Sequence, residues 1–313
     1  FDGSFSTLKE EWRAGGFDAV YNFPLYYATV DTLCDGMHLG RLAVALVESA
    51  RVDGELGRLV NFLDNHDLPR VRGRCRPELV EVALTALFAS PGIPMVTWGT
   101  ESGIEGAHEP DNRGDMVFAS AEQRAFLTNL NRLRGETFAL MHGDLSVLAL
   151  SETSLLVARR AGESVALLAV NLADDPFNFE LPEELSAVQW GVDLLTSADV
   201  LVVGGGSATL VTGEGPLFEP LSLEARVVRL QLSSGLGGTT PSHISGASEL
   251  LGEWDPDQAV PIIDGLLELN VPVGDVLEFK LLTKDGESLA WEAGANRYLL
   301  VESGSGDLVV DLE

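Results

Sequence analysis

Basic residues are scarce: 20 Lys and Arg stand against 48 Asp and Glu, a formal net charge of −28. So negative a surface repels phosphate backbones and anionic lipid headgroups, which argues against nucleic acid and membrane partners. A neutral polysaccharide is compatible with it. Long apolar runs are missing too, and none approaches the ~20 residues of a membrane span. Two cysteines, Cys34 and Cys75, make no disulfide framework, and both are expected to be free and buried. The five histidines have no metal spacing, since His66, His108 and His142 lie too far apart for a helical ligand pair. No charged segment followed by an apolar one stands at Phe1, so no targeting segment is read; the start reads as a cut inside a domain. No internal repeat is found.

What is present is 313 residues with 45% apolar content, enough for two or three domains with real cores. The first ~135 residues alternate strand and helix signals. Phe17 to Phe23 reads as a strand. Leu39, Leu42, Ala43, Leu46 and Val47 line one face of an amphipathic helix. Leu59 to Leu63 reads as a buried strand. Pro77 stands at a first helical position, and Glu78 to Ala89 is apolar nearly all round. Pro91-Gly92 breaks that helix before a short strand at Met95 to Gly99. Ser120 and Gln123 form a capping box on a helix that turns Phe126, Leu130 and Leu133 inward. These are three parallel β/α units, against eight in a closed barrel.

After Gly135 the texture changes. Leu145–Leu150, Ser154–Arg160, Ser164–Leu172, Phe177–Leu181, Asp199–Val203 and Arg226–Leu232 are short and rich in Val and Leu. Turn residues such as Ala161-Gly162-Glu163 separate them, which predicts an antiparallel β domain. Ser233 to Ser242 is a flexible linker by composition, and a second β-rich segment follows.

The chemistry is concentrated in Asn61 to Arg70. A buried strand that ends on Asn65, His66 and Asp67 has the layout of a parallel-barrel active site. Phe62-Leu63-Asp64-Asn65-His66-Asp67 resembles the Phe-x-x-Asn-His-Asp motif of the α-amylase family, glycoside hydrolase family 13. The resemblance implies that Asp67 is the transition-state-stabilising carboxylate and that His66 binds sugar at the cleavage point, with Asn65 and Arg70 as further substrate contacts. Gly92 to Glu101, then Gly106 to Arg113, resembles the family's eighth strand and following loop. Glu109 and Arg113 would hold sugars two positions from the cut, with Glu109 replacing the usual Asp. Phe1-Asp2-Gly3 and Gly16 to Tyr27 resemble the stretch from fifth to sixth strand. The nucleophile and general acid are then expected before Phe1, and the chain alone is expected to be inactive.

The tail carries a second resemblance. Leu251 to Pro256, Leu277 to Lys280 and Trp291 to Arg297 are similar to a family-20 starch-binding module. Trp254 and Trp291 would sandwich glucose faces, while Lys280, Glu292 and Asn296 bind hydroxyls. The aromatics of a second site are missing, and the first strand looks short or displaced.

The expected architecture is α/β plus all-β. Residues 1–135 are the last three units of a (β/α)₈ TIM barrel, residues 136–232 an antiparallel β-sandwich domain, and residues 233–313 a linker and a β-sandwich starch-binding module. The implied function is part of a secreted, retaining α-glucan hydrolase cleaving α-1,4 bonds. A transglycosylase of the cyclodextrin glucanotransferase kind and a non-catalytic starch-binding protein are the alternatives. Starch or a related α-glucan is the expected partner, with no protein partner implied. No metal or cofactor is expected in this stretch; the resemblance allows Ca²⁺ in the full-length enzyme, through residues mostly before Phe1.

Overall fold

The computed structural model describes residues 5–56, 58–191, 199–202, 204–218, 224–233, 241–285 and 288–312. Phe1-Asp2-Gly3, Val203, Glu313 and most of the expected linker lie outside the described residues. The chain divides into two compact units, Phe1–Leu221 and Ser222–Glu313.

The first unit opens with α1 (Phe5–Gly15), β1 (Ala19–Tyr21), α2 (Phe23–Leu33), α3 (Gly40–Leu56), β2 (Arg58–Asn61), α4 (Val71–Arg74), α5 (Pro77–Ala89), β3 (Ile93–Pro94), α6 (Ala121–Glu136) and α7 (Phe138–His142). The three strands pair in parallel, in the order β1-β2-β3. They are shorter than the sequence suggests. Asn22 ends β1 because its side chain caps α2, accepting from Leu25 N at 3.2 Å. The strand expected over Met95 to Gly99 is not formed there. Pairing stops at Pro94, and Met95 N closes the last rung on Asn61 O at 2.8 Å. Thr97 then donates its hydroxyl to the Asp64 carbonyl at 2.7 Å. Gly99, at φ +83°, turns the chain back, and Ile104 N returns to Gly99 O at 2.9 Å.

A buried polar network ties these units together. Asn22 Nδ2 donates to Asn61 Oδ1 and to Ser49 Oγ, each at 2.9 Å, and Asn61 Nδ2 donates to Pro91 O. Such paired polar groups favour one arrangement of the core over its alternatives. The carbonyls at the end of α5 meet two buried cations. Arg134 Nη1 donates to Phe88 O and Ser90 O, at 2.6 and 2.9 Å, and Arg159 Nη1 to Ala89 O at 3.0 Å. Burial pushes both guanidiniums down to about 10. Both remain charged at neutral pH, the favourable sign for a helix C-terminus.

Cys34 and Cys75 are bonded to one another, not free. They end α2 and α4. The helices meet through tertiary packing, and Arg74 ion-pairs with Asp31 at 3.2 Å and with Asp35 across the same seam. With the cysteines 41 positions apart in sequence, loop closure predicts a stabilisation of about 4 kcal/mol. A Cys34→Ser/Cys75→Ser variant is expected to unfold at a clearly lower urea concentration than the oxidised chain. An unchanged midpoint would refute that contribution.

The rest of the first unit is β. A four-stranded sheet has the order β4-β5-β9-β7, from β4 (Asp144–Leu150), β5 (Ser154–Asn171), β7 (Gln189–Trp190) and β9 (Ser207–Phe218). A two-stranded sheet of β6 (Phe177–Glu180) and β8 (Asp199–Val202) shares its core: Phe179 and Val202 pack with Leu156, Val165 and Leu167. The turn expected at Ala161-Gly162-Glu163 is formed: Gly162 takes φ +59° there, and β5 doubles back on itself, so that Leu172 N reaches Thr153 O at 2.8 Å. The sequence reading passed over β9, whose glycines disguise it.

The second unit is a pair of sheets. One has the order β13-β10-β17, from β10 (Ala225–Leu232), β13 (Leu266–Pro272) and β17 (Leu308–Leu312). The other runs β12-β11-β14-β15, with β16 also on β14, from β11 (His243–Gly246), β12 (Val260–Pro261), β14 (Val276–Asp285), β15 (Ser288–Trp291) and β16 (Arg297–Leu300). Val228, Leu230, Leu269 and Val271 of the first sheet share a core with Ile244, Leu277, Phe279 and Leu281 of the second. The placement of Arg226–Leu232 in the middle domain is therefore corrected. That strand lies inside the tail unit, antiparallel to β13 and parallel to β17. It is also the first strand that had looked short or displaced.

Candidate functional site

Two side-chain groups stand out, one in each unit. In the first unit, β2 delivers its chain through Phe62, which Tyr26 stacks at 5.2 Å and Phe23 meets edge-on at 5.1 Å. Phe62 and Leu63 are buried, so the polar residues behind them start from a fixed point. Asp64 is buried as well. Its carboxylate accepts from Val71 N at 3.0 Å and from Thr100 Oγ1 at 2.8 Å, and stands 3.5 Å from Arg70 Nε.

Arg70 is the main correction at this site. It was expected to contact substrate, yet its side chain is fully buried. It donates to Trp98 O and lies 5.1 Å from the Trp98 ring centroid. A guanidinium closed off beneath Asp64 and Trp98 cannot reach a sugar; it holds the loop. Asn65 likewise shapes the turn, its Oδ1 accepting from Asp67 N at 2.8 Å.

His66 and Asp67 are turned outward. Asp67 Oδ1 accepts from Arg113 Nη2 at 3.0 Å, and its Oδ2 lies 3.3 Å from His66 Nε2. Arg113 also pairs with Glu109 and donates from Nε to His66 O at 2.9 Å. Asn112 completes the brace: from a buried position it donates to His66 O at 3.0 Å and Leu68 O at 3.2 Å. Four expected residues, His66, Asp67, Glu109 and Arg113, therefore meet in one exposed cluster. Asp67 keeps 65% of its side chain accessible, which leaves its oxygens open to a hydroxylated ligand.

Sequence reasoning missed Asp64, Thr100 and Asn112. Asp64 carried a signal, because an acid inside an otherwise buried apolar run has to be paired. Among the described residues no group of three or more His, Cys, Asp or Glu is gathered for a metal.

The second group lies in the tail unit. Gly252, Glu253 and Trp254 all take positive φ, at 79°, 49° and 65°. The run is pinned by Trp254 N on Gly246 O at 2.9 Å and Glu253 N on Ser248 O at 3.1 Å. Non-glycine residues pay for this conformation, and here it projects Trp254 beside Trp291 of β15. Their ring centroids are 6.2 Å apart at 48°, within direct aromatic contact. They form an angled platform and not the parallel jaws of a sandwich. Trp291 is 38% exposed, and Trp254 is half-buried.

Lys280, on β14, donates from Nζ to Gly294 O at 2.7 Å and Glu292 O at 3.4 Å. Glu292 is engaged on both oxygens, by Arg297 Nε at 2.8 Å and by Leu281 N at 3.0 Å. Burial raises its carboxyl, but the Arg297 hydrogen bond, the Leu281 N–H and the charges of Arg297 and Lys280 outweigh that and hold it below the usual range. Asn296 donates to Glu278 Oε1 at 2.6 Å. Lys280, with three donors and two used, and Asn296, with a free carbonyl, keep spare capacity; Glu292 braces the 292–297 loop.

Comparison with known proteins adds the following. No family model matches the chain. The cyclomaltodextrin glucanotransferase of Paenibacillus macerans is 22% identical over 369 aligned residues, covering 82% of this chain and 51% of that protein. That of Bacillus licheniformis is 31% identical, over 48% of this chain and 21% of that protein. The chain thus spans about half the length of the first of these relatives. Among solved structures, an Anoxybacillus α-amylase is 26% identical with a TM-score of 0.61, covering 69% of this chain and 51% of that one. A γ-cyclodextrin glucanotransferase from an alkalophilic Bacillus clarkii covers 99% of this chain and 62% of its own, at 18% identity and a TM-score of 0.57. The homologues of this chain are cyclodextrin glucanotransferases and α-amylases of glycoside hydrolase family 13.

Proposed function

We propose that this chain, homologous to cyclodextrin glucanotransferases and α-amylases, is part of a retaining enzyme that acts on the α-1,4 bonds of starch. The observation that carries the reading is Asp67. It is held out beside His66 and Arg113 at the C-terminal tip of the middle of three parallel strands, where parallel-barrel enzymes keep their catalytic groups. Glycoside cleavage passes through an oxocarbenium-like state that a fixed carboxylate stabilises, while a nucleophile and a general acid do the bond-making. In this reading Asp67 is the fixed carboxylate. His66, Glu109 and Arg113 bind sugar hydroxyls, and the nucleophile and acid come from other barrel strands.

The tail unit is read as a starch-binding module of the family-20 kind, through Trp254, Trp291, Lys280 and Asn296. An apolar pyranose face suits an aromatic platform. An extracellular setting is supported by the Cys34–Cys75 bond, since disulfides persist in oxidising compartments. The reading needs no cofactor in this stretch.

Cyclising transfer is the second reading, favoured by the names of the curated relatives. Hydrolysis and transfer share a glycosyl-enzyme and differ in the acceptor, so the products decide. The protein carrying its whole barrel is expected to release linear malto-oligosaccharides from soluble starch, resolved by anion-exchange chromatography. Cyclic products would establish the transferase. No product of either kind from a folded, full-barrel protein would leave a starch-binding protein and reject the enzyme.

A further inference from the structure

We propose that Glu278, which no expected role covers, is a positioning residue that sets the hydrogen-bonding polarity of the tail cleft. The inference rests on reading that cleft as an α-glucan site. Glu278 lies on β14, two residues before Lys280, and is buried, 5% exposed. Its Oε1 accepts from Asn296 Nδ2 at 2.6 Å and from Tyr298 Oη at 2.8 Å. Tyr298 is also its direct cross-strand partner on β16.

A side-chain amide has two different ends, and coordinates alone distinguish them poorly. Here chemistry decides. An ionised carboxylate only accepts, so the end of Asn296 that faces Glu278 must be its NH₂. The carbonyl oxygen lies on the other corner of the planar amide and is left for a ligand. Asn296 therefore presents an acceptor, and it takes a sugar hydroxyl as a donor. Lys280 presents the opposite polarity, since it has one N–H beyond the two given to Glu292 O and Gly294 O. Arg297, opposite Phe279, is occupied by Glu292. The cleft thus offers a donor and an acceptor side by side. Glu278 holds the second in orientation from below without touching the sugar.

The test uses the 313-residue chain, β-cyclodextrin calorimetry and thermal melts. Glu278→Gln can face Asn296 with either end of its own amide, so the polarity is no longer set; affinity is expected to fall about tenfold. Asn296→Asp opposes two carboxylates, with the Tyr298 hydroxyl, the Lys280 ammonium and the Arg297–Glu292 pair as their charged or titratable neighbours. Binding is expected to vanish, because two facing carboxylates repel and neither can donate to the other. The double variant Glu278→Gln/Asn296→Asp exchanges donor and acceptor: the new amide N–H meets the new carboxylate, and an acceptor again faces the ligand. It should bind within about threefold of wild type, a rescue that a merely structural role does not predict. The Asn296 side-chain amide should also give a shifted NMR signal that collapses toward the ordinary range in Glu278→Gln, with or without ligand. The inference is overturned if Glu278→Gln binds like wild type, or if the double variant stays folded yet binds no better than the weaker single. A wild-type chain that shows the shifted amide signal but ignores millimolar β-cyclodextrin rejects the α-glucan reading, and this role with it. Wild-type binding without rescue rejects the role of Glu278 alone.

Discussion

Residues 222–313, expressed alone, should fold and bind β-cyclodextrin, whereas residues 233–313 should not fold. The two fragments differ mainly by β10, which lies between β13 and β17 in its sheet. Cutting it off removes the paired neighbour of both strands and leaves their backbone groups unsatisfied or wet. It also removes Val228 and Leu230 from the core. Each such side chain contributes about 1.5–3 kcal/mol by burial, and the lost ladder adds to that. A whole domain has only about 5–15 kcal/mol to lose. Circular dichroism and a urea melt decide the matter, and a cooperative transition in the shorter fragment would overturn the assignment of β10. In the folded fragment Trp254→Ala and Trp291→Ala should each weaken binding by about 1–3 kcal/mol, as desolvated aromatic anchors do. Two folded variants that bind like wild type would move the site elsewhere; two unfolded ones would make these tryptophans structural.

In the protein with its whole barrel, Asp67→Asn should lower kcat by about 10³, the loss seen when one preorganised electrostatic partner is removed from a transition state. The substitution keeps the shape of the side chain and the backbone turn set by Asn65. What disappears is the charge facing His66 and Arg113. Both of those pairs are well exposed, so stability should change by less than about 1 kcal/mol. His66→Ala should cost less turnover, because a neutral hydrogen bond is removed in place of a charge. Arg70→Ala should behave in the opposite way. It opens a cavity and strands the buried Asp64, so thermal stability falls first. Near-normal turnover by a folded Asp67→Asn enzyme would sink the catalytic assignment, and a large drop in melting temperature with unchanged kcat would make Asp67 structural.

The sequence by itself determined what depends on neighbours within a few residues. Pro77 opens α5, and the Ser120–Gln123 capping box opens α6, because a helix start is specified by its first turn. The apolar face of α3 and the strand-helix alternation of the first ~135 residues were legible for the same reason. So were the positions of Asp67, Glu109, Arg113, Trp254 and Trp291, which stand in short contiguous motifs. Only the tertiary structure decided what depends on distant partners. Arg70 sits three residues beyond Asp67, and nothing local says that Asp64, Trp98 and Thr100 close over it. The Cys34–Cys75 bond joins residues 41 positions apart, and with two cysteines the sequence offers no framework to pair them. Val228 and Leu230 read as one more β strand behind the barrel. Their partners at Leu266–Pro272 and Leu308–Leu312 lie across a long connection, and strand pairing is fixed by burial of a shared face, which a strand's own residues do not name.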